Sequence, residues 1–98
     1  MQVTGNTFRE IDLVTAPAFL AAMRKMIDWA DNRAVVIDCS SITFLDSSGF
    51  HALIDAHWHA IELDHLLVIY GLAPNCARVV RICDLEGVLT IADPQLAH

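Results

Sequence analysis

Residues 46–49 read Asp-Ser-Ser-Gly, two hydroxyls between a carboxylate and a glycine, just after a hydrophobic run and just before a helical pattern. Three chemistries suit that arrangement. As a cap, Asp46 or Ser47 accepts a hydrogen bond from an amide that the first helical turn leaves unpaired. As a nucleophile, a serine needs a strained elbow, an oxyanion hole and a histidine–acid pair. The flanking glycines of such an elbow are missing here. His51 follows Ser47 by one helical turn, but nothing near it suggests an oxyanion hole, so catalysis is not expected. As a phosphate acceptor, a serine at a helix start gains about two negative charges where free amides and the helix dipole offset them in part. Asp46 beside it keeps the modified patch acidic, which suits a binding switch better than a folding switch. The pattern alone does not rank Ser47 against Ser48.

Other chemistry-bearing residues are weaker candidates. His51, Asp55 and His59 stack at successive helical turns, a geometry that suits either a metal ion or a solvated face with mild charge pairing. No further ligand is evident, so no metal is expected, and no cofactor is implied by a Walker loop or a dinucleotide fingerprint. His57 falls within an apolar stripe and reads as a hydrogen-bonded, partly buried histidine. Cys39, Cys76 and Cys83 form no Cys-x-x-Cys pair. They read as small hydrophobes in a reducing compartment, with a redox pairing of Cys39 and one of the others as the alternative.

The elements that position these residues follow from periodicity. Residues 3–11 suggest short strand material or a small hairpin. A helix follows, with Thr15 as N-cap, Pro17 in the first turn, and Phe19, Leu20, Met23, Ile27 and Ala30 at helical spacing, ending at residues 31–33. Residues 34–39 and 66–70 are continuous apolar runs, the mark of strands covered on both faces. Between them, a helix of about 16 residues starts near Ser47. Its apolar stripe is Phe50, Leu53, Ile54, Trp58 and Ile61, with Ala52, Ala56 and Ala60 on a neighbouring face. Gly71 and Pro74 break the chain, residues 75–87 read as a third helix stopped by Gly87, and residues 88–92 supply an edge strand. Alternating strands and helices with short connections predict one α/β domain over residues 1–98, its sheet partly parallel.

Bulk properties exclude several function classes. The 98 residues carry a formal charge of −6, which disfavours nucleic acid or an anionic membrane as partner. No apolar run approaches the roughly 18 residues of a membrane span, and the N-terminus lacks a signal-peptide pattern. A cytoplasmic domain that binds small molecules or proteins is the natural reading.

The chain also resembles the STAS domain family of bacterial anti-sigma factor antagonists. Residues 10–19 (EIDLVTAPAF) are similar to the segment leading into the family's first helix. Residues 35–49 (VVIDCSSITFLDSSG) resemble its central strand, connecting turn and phosphorylation motif, and residues 81–88 (RICDLEGV) its closing helix. The resemblance implies a small mixed sheet of about four strands with about three helices packed on it. It also implies a non-catalytic function: binding an anti-sigma factor, often a serine kinase, and thereby releasing a sigma factor. Phosphorylation on Ser47 would break that complex and a PP2C-type phosphatase would restore it. Asp46, Ser48, Gly49, Phe50 and His51 join Ser47 as the implied partner surface, with Gly49 letting the partner approach the turn. The alternative is a STAS scaffold module that is not phosphorylated, or is regulated through thiols. Four departures stand out. Phe50-His51 replaces a small aliphatic residue followed by a small residue. Arg9 stands where glycine is common, and residues 74–81 look about one helical turn longer than usual. The N-terminal strand region looks shortened, which would expose a sheet edge and open a route to self-association.

Overall fold

In the computed structural model, which describes residues 8–92, the predicted alternation of strands and helices is realised. Along the chain the elements are β1 (Glu10–Ile11), α1 (Ala16–Asp28), β2 (Ala34–Asp38), β3 (Phe44–Leu45), α2 (Ser47–Glu62), β4 (Leu66–Tyr70), α3 (Pro74–Cys83) and β5 (Thr90–Ala92). They form a small α/β fold with a three-stranded sheet, β2-β4-β5, and a two-stranded ribbon, β1-β3. Every pairing among the described residues is parallel. The strand that raises the count from four to five is β3, only two residues long and too short to show a period of its own.

The β-branched runs make the central pair. Val35 faces Leu67 and Ile37 faces Ile69 across β2 and β4. These four side chains are buried, whereas Val36, Asp38 and Val68, which alternate with them, remain partly exposed. The expected cover on both faces is therefore corrected: the core that includes α1 and α2 closes over one face, and the pleat sends every second residue to the other.

Helix α2 also sits differently from the sequence stripe. Its buried set is Gly49, Phe50, Ala52, Leu53, Ala56, His57 and Ala60. Trp58 and Ile61 are about half exposed, at 51% and 47%. The alanines lie at the centre of the buried face because both α1 and β4 pack against this helix, and small side chains admit both. Trp58 and Ile61 are left at its margin.

Two helix ends differ from expectation for one reason, an aspartate that competes for backbone amides. Thr15 occupies the N-cap position of α1 but makes no side-chain cap bond. Asp12 Oδ1 instead accepts from the Val14 and Thr15 amides at 2.9 and 3.0 Å, and the Thr15 hydroxyl donates to the Glu10 carbonyl at 2.7 Å. Those amide bonds hold the Asp12 carboxyl below the usual aspartate value. At α3 the helix stops at Cys83, short of Gly87, because the Asp84 carboxylate accepts from the Val88 and Leu89 amides at 2.8 and 3.0 Å. Gly87, at φ 65°, serves the turn that follows. The shortened N-terminal region inferred from sequence concerns residues ahead of Glu10, of which 1–7 lie outside the described residues.

Candidate functional site

The strand β3 delivers the Asp-Ser-Ser-Gly motif to the start of α2. Leu45 is buried in the ribbon with β1, Asp46 is extended at φ −110° and ψ −167°, and the helix begins at Ser47. The cap is Asp46. Its Oδ1 accepts from the Ser48 amide at 2.8 Å and the Gly49 amide at 3.4 Å, satisfying two of the donors that a helix start leaves open. Ser47 is exposed, and its hydroxyl takes no part in this cap; Ser48 is half-buried beside it. The two serines are thus unequal in geometry as well as in motif position.

Gly49 and Phe50 belong to the interior. A Cβ on Gly49 would stand 2.6 Å from Leu45 Cγ and 3.0 Å from Ile11 Cγ2, so the missing side chain lets α2 lie against the β1-β3 ribbon. The sequence reading gave Gly49 as an opening for a partner; the structure gives this glycine an inward packing role as well. Phe50 is only 8% exposed, with its ring edge-on to His51 at a centroid distance of 5.7 Å. Both residues brace the site from beneath and do not face outward from it.

His51 is exposed, and its Nδ1–H donates to the Ser47 carbonyl at 2.7 Å. Its ring is therefore pinned over the first turn, bonded to the backbone of Ser47. Beside it runs a shallow groove between α1 and α2, bordered by Leu13, Pro17, Leu20, Ser48, His51 and Asp55. Leu13 and its neighbour Val14 are 78% and 84% exposed. The sequence reading missed this apolar pair. The available signal was two large hydrophobes just ahead of a helix cap, outside the periodic stripe.

The other candidates come apart. His59 turns toward α1, where its Nε2 lies 2.6 Å from Asp28 Oδ1, so the stack with His51 and Asp55 is not a shared pocket. Among the described residues no group of three or more histidines, cysteines and acids converges to hold a metal. His57 is buried, but its Nδ1 has no hydrogen-bond partner among the described residues, contrary to the expected hydrogen-bonded state. Instead the ring lies edge-on to Trp58 at 4.7 Å. Cys39, Cys76 and Cys83 are free thiols. Burial, with added repulsion from Asp38 and Cys76, pushes Cys39 up to about 12. Burial likewise raises Cys76.

A family model, the STAS domain, matches residues 6–94. The chain belongs to the STAS domain family. Among solved structures, this STAS domain is similar to an anti-sigma-factor antagonist (STAS) domain protein from Planctomyces limnophilus. That match has a TM-score of 0.65 and 26% identity, covering 93% of this chain and 79% of that one. It is also similar in fold to the anti-sigma factor antagonist SpoIIAA in its unphosphorylated form. There the TM-score is 0.67 and the identity 17%, over 92% of this chain and 78% of that one. No curated protein matches it. No helix among the described residues of the STAS domain is long and apolar enough to cross a membrane.

Proposed function

We propose that this STAS domain is an anti-sigma factor antagonist, a cytoplasmic, non-catalytic switch that binds an anti-sigma factor and is released by phosphorylation of Ser47. The observation that carries the reading is an exposed Ser47 at the first position of α2, free of any capping duty, directly after a capping aspartate. A phosphate there changes the surface sharply while the bonds that start the helix stay in place. An anti-sigma serine kinase is the expected partner and modifying enzyme, with a PP2C-type phosphatase reversing the modification and the sigma factor set free while the complex persists. Ser47, Ser48 and His51 form the polar part of the partner surface, and the exposed Leu13 and Val14 supply an apolar part. Asp46, Gly49 and Phe50 hold that surface in shape. Association of two copies through a sheet edge exposed by the shortened N-terminal strand region is a secondary expectation.

The thiol-regulated alternative is disfavoured, since Cys39 and Cys76 are buried and their raised pKa values keep them protonated at neutral pH. Incubation with a cognate anti-sigma kinase and ATP should label Ser47, and Ser47→Ala should abolish the label. In a pull-down, Ser47→Asp should lose the partner that the native chain retains. Label that survives in Ser47→Ala, or a partner that still binds Ser47→Asp, would overturn the reading.

A further inference from the structure

A phosphate on Ser47 would enter a site whose usual means of holding an anion are already committed. The Ser48 and Gly49 amides, which would otherwise face it, both donate to Asp46 Oδ1. The Asp46 carboxylate itself is negative and adjacent. Helix α2 contains no lysine or arginine, and none borders the groove beside it. One side chain within a turn of Ser47 can carry positive charge, and that is His51. It lies four residues on, on the same helix face, where side chains lean toward the helix N-terminus and over the preceding turn. The bond from its Nδ1–H to the Ser47 carbonyl already holds the ring there, and the Phe50 ring packs against it in a T-shaped contact. With Nδ1 so engaged, Nε2 is left for a second partner.

We infer that His51 is the charge partner of a phosphate on Ser47, so that this one side chain sets how much of the added negative charge a binding partner meets. The inference rests on the reading of Ser47 as acceptor and names how that site is regulated. Among the described residues, the acidic groups next to His51 along the cap and the groove are two. They are Asp46, at the helix cap and occupied with amides, and on its own helix Asp55, one turn on at the groove. From the α1 side the groove presents Leu13, Ala16, Pro17 and Leu20, none of them charged. Asp12, before that helix, spends its carboxylate on the Val14 and Thr15 amides.

The test installs phosphoserine at residue 47 by codon suppression, so that it does not depend on finding the kinase. The second ionisation of the phosphate is then followed by phosphorus NMR in the native chain, His51→Gln and His51→Lys, with circular dichroism confirming the fold of each. The native phosphate should ionise at a pH lower than in His51→Gln by about 0.2–0.7 unit, the size of one exposed charge pair. His51→Lys should restore the lowering, and molar salt should shrink it. Coincident titrations in the native chain and His51→Gln would overturn the pairing while leaving Ser47 as acceptor intact. Failure of any cognate kinase to label Ser47 would instead remove the acceptor reading and leave the measured pairing standing.

Discussion

At the scale of single residues, Asp46, Ser47 and Gly49 divide three tasks between neighbours. Asp46 starts the helix, Ser47 faces solvent, and Gly49 lets the helix touch the ribbon beneath. The contact at Gly49 is too close for any side chain. Leu45 is only 2% exposed and Ile11 is fully buried, so neither can give way to a methyl group. Gly49→Ala should therefore destabilise the domain by about 1–3 kcal/mol, the usual range for overpacking, despite alanine's better helix propensity. Chemical denaturation would measure it, and a gain in stability would refute the packing account of this glycine. Substitution of Ser47, by contrast, should leave the denaturation midpoint nearly unchanged.

At the scale of elements, aspartates set where helices begin and end. The Asp12 carboxyl is held below the ordinary aspartate value chiefly by the Thr15 and Val14 amides at the entry to α1. The unfolded chain titrates this group near 3.9, so its stabilising effect is complete above that pH. The effect is lost as pH falls through the lower native value. A carbon-detected NMR titration should find the native Asp12 midpoint below the model aspartate, and Asp12→Ala should lower Tm at neutral pH more than at strongly acidic pH. A midpoint at or above the ordinary value would contradict the hydrogen bonding described for this turn. Such local competition explains what was and was not legible in the sequence. The runs 34–39 and 66–70 and the start of α2 at Ser47 were readable because periodicity and a cap motif agree there. The two-residue strand Phe44–Leu45 was not, since pairing with β1 fixes it and no local pattern can. The end of α3 was misread because Gly87 is a familiar stop signal, while the reach of Asp84 to amides four and five residues on leaves no mark in composition. The rotation of α2 toward its alanines depends on two neighbours arriving at once, and a single-helix stripe does not contain that information.

At the scale of the whole molecule, the three thiols report how the core is distributed. Cys39 and Cys76 are buried and Cys83 is only partly so. Brief alkylation at neutral pH, read by mass spectrometry, should modify Cys83 first and leave Cys39 and Cys76 untouched until denaturant opens the domain. Early modification of Cys39 would contradict its burial and revive a thiol-controlled function. The Asp46 cap has a molecule-wide consequence of another kind. Because a neighbouring carboxylate holds the Ser48 and Gly49 amides of α2, exchanging Ser47 for alanine should be nearly silent in the folding equilibrium. The fraction of unfolded chain, and with it the rate at which proteolysis clears the protein, should then be the same for Ser47→Ala as for the native chain.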